Sequence, residues 1–391
     1  MTNNSKQEEL GNKMGVRRRK KTVLLPRELI IKILLRLPVK SLVRFKCVCK
    51  WWLSLISDPH FTISHFELAA ERSHRLVLLE PSAGEFLSID FNASLHDYSA
   101  SASLNLNFLP PESYYIQILG SCRGFLLLEL NDTLCVWNPS TGVHKQVPLS
   151  PIASHLDAIY FTFLYGFGYD PSTDDYLVLQ ASYDPSTDDH LVLDPTRVEF
   201  FSLRANAWKE IQGMHLSYMN CCDDIKLGLF FKGAIHWLAF RSDVSMNVIL
   251  AFDLTERSFS EIPLPLDFEC QFEFCDLRVI GEFLSLCLMG CYSSPAEIWV
   301  MEEYKVQSSW TKSIVVSVDD IPIPFFSLIC FTKSGDIVGT DGRTGLVKCD
   351  DKGQLQEHRS YCSGQIAFHV AVYTESLLSL PFDSEKAEED N

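Results

Sequence analysis

Residues 120–142, GSCRGFLLLELNDTLCVWNPSTG, contain the pattern that decides the fold of most of this chain. An apolar run, Phe125–Leu128, follows one polar turn, and a second run ends at Trp137 before a Pro-Ser-Thr-Gly turn. Short apolar runs that alternate with Gly, Asn, Asp and Pro turns are typical of β-strands joined by tight connections. No helical periodicity returns beyond residue 75, so the sequence predicts an all-β domain over residues 75–380.

The same unit recurs along the chain at a nearly constant spacing. Six positions are equivalent: Ile89, Trp137, Phe201, Phe252, Val300 and Lys348. The steps between them are 48, 64, 51, 48 and 48 residues. A period near 50 residues is typical of kelch-like blades of four strands. We predict a β-propeller of about six blades, with an open β-sandwich or an incomplete ring as the alternative.

The one long step has a local cause. The segment Tyr169–Leu179 is repeated 14 positions later, over residues 183–193, with the single change of Tyr176 to His190. Without one copy, the step of 64 residues falls to 50. Only one copy is therefore expected to hold the regular position in its blade.

The first 70 residues have the helical pattern that the rest of the chain lacks. Pro26 suits the first turn of a helix, and apolar residues then recur at steps of three and four up to Leu37. Pro38 ends this helix, and a second amphipathic stretch continues to Asp58-Pro59. About forty residues of helix rarely make a stable core alone. We predict a module of three helices that docks on another chain, rather than a helical hairpin packed only on its own downstream domain.

The charges are divided unevenly between these two parts. The net charge is -16, but residues 1–70 hold 14 Lys and Arg against 5 Asp and Glu, whereas residues 71–391 hold 20 against 45. This asymmetry indicates a small basic module and a large acidic one with different partners. The large part repels phosphate, so nucleic acid is not an expected partner. The basic run at residues 17–21 has two interpretations, a solvated tail and a nuclear import signal.

Four strings in the helical module together resemble the F-box: LPREL at 25–29, ILLRLPVKSL at 33–42, RFKCVCKWW at 44–52 and LISDPHF at 55–61. The resemblance implies an adaptor that binds the Skp-type linker protein of a cullin-RING ubiquitin ligase. The motif positions that form the F-box core or its linker contact are Leu25, Pro26, Leu29, Ile33, Leu34, Leu37, Pro38, Leu42, Val48, Trp52, Leu55 and Ile56. Cys49, where family members often carry serine, and the additional Trp51 depart from the pattern without breaking the helical spacing. Linkers of this kind are acidic, which agrees with the basic charge of the module.

Several strings in the β-rich part, over roughly residues 100–315, resemble the F-box-associated domain of plant F-box proteins: GSCRG at 120–124, WNPSTG at 137–142, GFGYD at 166–170, HWL at 236–238 and EIWVM at 297–301. The resemblance implies a substrate-recognition subunit of an SCF-type (Skp-cullin-F-box) ubiquitin ligase, which is not itself an enzyme. Its motifs are mainly structural, so no substrate contacts follow from them. Segments rich in aromatic and acidic residues between the apolar runs are candidate target loops: Tyr114-Tyr115, Asp267–Asp276 and Asp319–Phe326.

Few residues point to catalysis. The glycines around Cys122 have the spacing of a nucleophile elbow, but they lead into a β run rather than a helix. His236 beside Trp237 is expected to be a core residue rather than a base. Acidic pairs such as Asp174-Asp175 lack the spacing of a calcium loop, and the 13 cysteines contain no Cys-x-x-Cys pair, so no metal or other cofactor is expected. The alternative function is an independent propeller enzyme or a carbohydrate-binding protein, which would need a polar or metal-bearing pocket on one face.

Four segments are thus expected along the chain: a disordered basic tail (1–21), the F-box (22–66), an F-box-associated kelch-like propeller (75–380) and an acidic tail (381–391). No uncharged stretch reaches the length of a membrane-spanning helix, and no apolar signal segment follows Met1. We therefore expect reduced cysteines, a cytoplasmic or nuclear location, and no contact with a membrane.

Overall fold

The structure, a computed structural model, describes residues 25–70, 74–80, 85–104, 106, 108, 116–131, 133–150, 162–182, 197–211, 218–219, 226–241, 245–265, 274–290, 294–343, 345–361 and 369–381. The two expected tails lie outside these residues, apart from Pro381. The described residues form an all-α front followed by an all-β ring, which confirms the predicted fold class.

Four helices form the front of the chain: α1 Arg27–Leu34, α2 Val39–Phe45, α3 Lys50–Ile56 and α4 Pro59–Ala70. This is one helix more than the three predicted. The second amphipathic stretch is divided because Cys49, just before α3, has an extended backbone with φ -162°. Asp58-Pro59 ends α3 but also begins α4, since the Asp58 carboxylate accepts a hydrogen bond of 3.1 Å from the Phe61 N–H and proline suits the first helical position.

The β part contains 26 strands among the described residues: β1 His74–Glu80, β2 Glu85–Ile89, β3 Ser101–Leu104, β4 Ile116–Cys122, β5 Phe125–Leu130, β6 Thr133–Trp137, β7 His144–Val147, β8 Thr162–Asp170, β9 Asp175–Ser182, β10 Arg197–Ser202, β11 Ala207–Ile211, β12 Tyr218–Met219, β13 Lys226–Leu227, β14 Leu229–Phe231, β15 Ala234–Arg241, β16 Met246–Asp253, β17 Ser258–Ile262, β18 Phe274–Ile280, β19 Phe283–Met289, β20 Ala296–Met301, β21 Trp310–Val316, β22 Ser327–Phe331, β23 Ile337–Thr340, β24 Gly345–Cys349, β25 Leu355–Ser360 and β26 His369–Thr374. They form six sheets, the blades of a propeller. Blade 1 contains β26 and β1–β3, blade 2 β4–β7, blade 3 β8–β11 with β13, blade 4 β14–β17 with β12, blade 5 β18–β21 and blade 6 β22–β25.

The repeat identified in the sequence corresponds to these blades. The six equivalent positions all lie on the third strand of their blade: Ile89, Trp137, Phe201, Phe252, Val300 and Lys348. Apolar clusters join each blade to the next, and one of them joins blade 6 to blade 1. The structure is therefore a closed ring of six blades, and neither an open β-sandwich nor an incomplete ring describes it.

The ring is closed by its last strand. β26 pairs antiparallel with β1, with Val372 opposite Leu76, so the C-terminal end of the domain supplies the innermost strand of blade 1. Neighbouring blades are also joined by tryptophan side chains at their outer strands. Trp208 Nε1 donates to the Pro148 carbonyl at 2.7 Å, and Trp310 Nε1 donates to the Pro263 carbonyl at 3.0 Å. Each indole thus buries apolar surface and satisfies its N–H with the preceding blade.

The connections divide the ring into two faces. One face holds the turns between the first and second strands of a blade and between its third and fourth strands; the opposite face holds the remaining connections. α4 and the C-terminal residues contact the first of these, which we call the F-box face. The first copy of the duplicated segment forms the β8–β9 turn on this face and most of β9. It holds the regular blade position, while the second copy, residues 183–193, lies outside the described residues.

Candidate functional site

One side of α1 carries a row of exposed apolar side chains. Leu29 and Ile33 are four residues apart on one side of α1, and Leu25 lies four residues before Leu29, just ahead of the start of the helix at Arg27. Their exposed fractions are 52%, 46% and 50%. Leu34 is buried in the helical core instead. Because an amphipathic helix normally turns its apolar side inwards, a row that faces solvent is available to another chain.

A second group of exposed apolar side chains lies around the start of α3. Val48 and Leu53 are 59% and 48% exposed. The Arg27 guanidinium lies 5.5 Å from the centroid of the Trp51 indole, so the starts of α1 and α3 are neighbours. We call the two groups together the docking patch: Leu25, Leu29, Ile33, Val48 and Leu53. Leu53 was not predicted from the sequence, although an apolar residue between two core positions of a short helix is a signal that could have identified it.

The twelve predicted F-box positions divide into three groups by burial. Six are exposed: Leu25, Pro26, Leu29, Ile33, Pro38 and Val48. Three are buried and three half-buried: Leu34, Leu42 and Ile56, then Leu37, Trp52 and Leu55. The six that are not exposed pack in one helical core, in which the Phe45 and Trp52 rings are 5.1 Å apart. Linker contact by the exposed positions stays a prediction, whereas the buried ones hold the helices together.

Positive charge predominates on the helical module that carries the docking patch. Six cationic side chains of the helical module are exposed: Arg27, Lys32, Arg36, Lys40, Arg44 and Lys50. Lys46 is half-buried, and burial lowers its pKa. Three acidic side chains, Glu28, Asp58 and Glu67, are also exposed, so the module carries an excess of positive charge, which attracts an acidic partner over about 8–10 Å at physiological ionic strength. The patch therefore combines an apolar contact area with a basic rim.

α4 connects the helical core to the ring. Within the helical part, His65 Nε2 donates to the Leu37 carbonyl at 2.9 Å, and burial lowers the pKa of this imidazole. On the ring side, the Arg123 guanidinium lies 5.5 Å from the Phe66 ring centroid and 3.8 Å from that of Tyr169. Arg123 occupies the β4–β5 turn with φ 47°, so this turn directs its guanidinium between α4 and blade 3.

The C-terminal residues 375–381, which we call the strap, also connect the two parts. Leu377 is 5% exposed and packs in the helical core. Its neighbours Leu378 and Leu380 pack instead in the apolar cluster between blades 2 and 3. The side-chain amide of Asn138 donates to the carbonyls of Ser376 at 3.1 Å and Leu378 at 3.2 Å. The sequence analysis did not identify this segment, because nothing local shows that its apolar residues belong to two different cores.

The residues that suggested catalysis are engaged in packing. Cys122 is buried at the end of β4, its chain continues into a tight turn and β5, and burial raises the pKa of its thiol well above the usual range. His236 is fully buried; its Nδ1 donates to the Leu229 carbonyl at 3.3 Å, so the neutral ring accepts at Nε2 from the Tyr304 hydroxyl at 2.7 Å. Both residues have the surroundings of core groups, as the sequence predicted for His236.

The acidic turns are likewise engaged. Asp174 pairs with Arg204 at 2.6 Å, and the Asp175 carboxylate accepts from the Arg204 backbone N–H at 2.8 Å. Within the ranges that the structure describes, no three His, Cys, Asp or Glu residues are grouped so that they could hold a metal ion. No helix in those ranges has both the length and the apolar content needed to cross a membrane.

One of the three candidate target loops is described in full. Asp319–Phe326 connects blade 5 to blade 6 and leads to the opposite face, where its Phe325 ring lies 5.0 Å from the Phe274 ring. Phe274 is the first described residue of the second candidate loop and is 36% exposed. Asp319 and Asp320 are exposed beside them. Tyr114-Tyr115 and residues 267–273 lie outside the described residues.

The similarities to known proteins agree with this architecture. Residues 75–380 match the F-box associated beta propeller domain family, and residues 22–65 match the F-box-like family. An F-box/kelch-repeat protein of Arabidopsis thaliana is 31% identical over 334 residues, which cover 82% of this chain and 86% of the relative. The F-box protein CPR1 of the same plant is 31% identical over 316 residues, which cover 75% of this chain and 73% of the relative. The chain therefore belongs to the family of F-box proteins that carry an F-box-associated β-propeller domain, represented among its relatives by plant proteins.

Proposed function

We propose that the chain is the substrate-recognition subunit of an SCF-type ubiquitin ligase and that the docking patch binds the Skp-type linker. The observation that carries the proposal is the patch itself, five large apolar side chains that are 46–59% exposed within the F-box-like region. Contiguous exposed apolar surface on a soluble domain marks an interaction site. The basic rim favours a linker of opposite charge, which raises the association rate as well as the specificity.

The ring captures the protein target in this proposal. α4 and the strap contact the F-box face, so we assign target capture to the opposite face. Phe274 and Phe325, with Asp319 and Asp320 beside them, supply apolar and acidic groups there. Residues 71–391 hold 20 Lys and Arg against 45 Asp and Glu, so a target segment with basic and apolar side chains fits best.

The chain acts as a non-catalytic adaptor in this scheme, and other subunits of the ligase transfer ubiquitin. Burial of Cys122 and His236 supports this role, because a thiol with a raised pKa is a poor nucleophile and a neutral, hydrogen-bonded imidazole has no free route to a substrate. The adaptor would work in the cytoplasm or the nucleus, where the basic run at residues 17–21 could serve in import.

Calorimetric titration of the full chain with a purified Skp-type linker tests the proposal. Leu29→Asp places a charge in the docking patch and should weaken binding about a hundredfold or more. Ile63→Asp is the matched control, because Ile63 is a 39% exposed apolar residue on α4 outside the patch, and its affinity should equal that of the wild type. Failure of the wild type to bind, or equal binding by the Leu29 variant, would contradict the proposal. Turnover of a substrate by the ring without ubiquitin enzymes would favour the alternative of an independent enzyme.

A further inference from the structure

The helical core is completed by a residue from the other end of the chain. The core contains Leu34, Val39, Leu42, Ile56 and Phe61 together with Leu377, and the exposed fraction of each is 5% or less. Helical modules of this size have little apolar core, so one missing leucine removes a large share of it and leaves a cavity. Residues 25–70 alone therefore lack a part of their own interior.

The position of Leu377 is set by blade 2. Asn138 is fully buried in the β6–β7 turn, and its amide holds the strap on both sides of Leu377, at the carbonyls of Ser376 and Leu378. The Ser376 N–H donates to the Ser140 hydroxyl at 3.1 Å, and the Leu378 N–H donates to the Ser376 hydroxyl at 3.0 Å. Hydrogen bonds on both sides of one residue fix where its side chain points.

The strap is also a direct continuation of the strand that closes the ring. β26 ends at Thr374, one residue before the strap begins. Gly124, in the β4–β5 turn, has φ 84°, and a Cβ at this position would collide with Ser376 and the Thr374 carbonyl. Blade 2 therefore approaches the chain closely just where it leaves the ring, so the path of the strap is set directly at the end of β26.

We propose that the strap is a positioning element for linker binding: Leu377, held by Asn138 and Ser140, keeps the docking patch in its binding arrangement, so that the linker binds more tightly to chains that are complete through the strap. This inference rests on the proposed function of the docking patch. It gives the Trp-Asn-Pro-Ser-Thr-Gly string a role beyond turn formation. It also makes an incomplete chain a poor competitor for the linker, because an F-box without its strap lacks an ordered patch.

The test compares strap variants of the full chain in two measurements, calorimetric affinity for the purified Skp-type linker and hydrogen exchange. Leu377→Asp should weaken linker binding about tenfold or more and accelerate exchange in α1–α3, with unchanged exchange in β15 and β16 of blade 4. Leu377→Met, which keeps the apolar volume, should restore both measurements to within about threefold of the wild type. Ser379→Asp is the matched control in the same segment, because Ser379 is exposed, and it should change neither measurement.

A second pair of variants tests the same proposal without altering Leu377. Asn138→Ala with Ser140→Ala removes the anchors of the strap and should weaken linker binding and loosen α1–α3 in the same direction as Leu377→Asp. A chain ending at Pro381 keeps the strap and should bind like the wild type. Wild-type affinity and wild-type exchange of α1–α3 in both Leu377→Asp and the Asn138 double variant would overturn the proposal. If the wild type bound no linker, the proposed function would fail, but exchange in α1–α3 would still show whether the strap orders the helices.

Discussion

Asp170 and Arg257 form an ion pair between two blades, with Arg257 Nη2 2.7 Å from Asp170 Oδ2. Asp170 is the last residue of β8 in blade 3, and Arg257 lies in the β16–β17 turn of blade 4. Burial alone would raise the pKa of the Asp170 carboxyl, but hydrogen bonds from Ser172 and Thr173 and the Arg257 guanidinium bring it down to about 2. The pair is therefore ionised at neutral pH and connects the two blades on the F-box face.

The first prediction compares two aspartates of the same turn. Asp170→Asn leaves Arg257 without its counter-charge and should lower the free energy of unfolding by about 3 kcal/mol. Asp174→Asn breaks the ion pair between Asp174 and Arg204, whose side chains are 73% and 49% exposed, respectively. This loss should lower the free energy of unfolding by less than about 1 kcal/mol. Urea titration of the two variants measures the difference. Equal losses would contradict the inter-blade role of Asp170.

This turn also shows which structural features could be predicted from the sequence and which could not. The string Asp-Pro-Ser-Thr-Asp-Asp predicts a turn, because its residue types favour turn backbones and side-chain hydrogen bonds. Which aspartate is buried could not be predicted, since Arg257 is 87 positions away and reaches Asp170 only in the closed ring. The six third-strand positions were predictable for the opposite reason, as a repeated unit marks its own period.

The helical module shows the same limit. The spacing of Leu25, Leu29 and Ile33 could predict that these apolar residues lie on one side of the module. Their exposure to solvent could not be predicted, because it depends on which residues fill the core beneath them. That core includes Leu377, which no local pattern connects with the F-box. The break of the second helix at Cys49 was also missed, because amphipathic spacing continues through it while the backbone does not.

The second prediction separates contact from core in the helical module. Leu29→Ala with Ile33→Ala should weaken linker binding by about 2 kcal/mol and leave the stability of the helices unchanged, because both side chains are half exposed. Trp52→Ala should instead destabilise the helices by about 3 kcal/mol, because its indole packs against Phe45 in the core. Calorimetry with the linker and hydrogen exchange of α1–α3 distinguish the two outcomes. Unchanged helix exchange in the Trp52 variant would show that the core assignment is wrong.

The third prediction concerns pH. Burial lowers the pKa of His236 from 6.5 to about 4, so the folded protein binds fewer protons at this site than the unfolded chain between these two values. The stability that the neutral imidazole contributes is complete above pH 6.5 and is lost as the pH falls towards 4. The slope from one such group is at most about 1.4 kcal/mol per pH unit.

His236→Gln removes this titration while its amide can still accept from the Tyr304 hydroxyl. The variant should be less stable than the wild type at pH 7, and its stability should fall less steeply between pH 6.5 and 4. His65 and His74, whose pKa values burial also lowers, keep part of the slope in both proteins. Urea unfolding at several pH values measures the two slopes. Parallel curves for the variant and the wild type would show that His236 is not the group that titrates.

The last prediction concerns the duplicated segment. Ser182 at the end of β9 and Arg197 at the start of β10 lie directly opposite each other in the ladder, so two residues are enough to join them in a hairpin. Replacing residues 183–196 by Asn-Gly should therefore leave blade 3 intact, and the shorter connection slightly favours folding through its smaller closure entropy. The unfolding midpoint should stay within about 4 °C of the wild type. The matched control replaces Asp170 and the β8–β9 turn, residues 171–174, by Asn-Gly, and it should be strongly destabilised because it removes Asp170 from its pair with Arg257. A fall of more than about 8 °C in the first variant would mean that the second copy supplies core contacts, and the assignment of the blade to the first copy alone would be wrong.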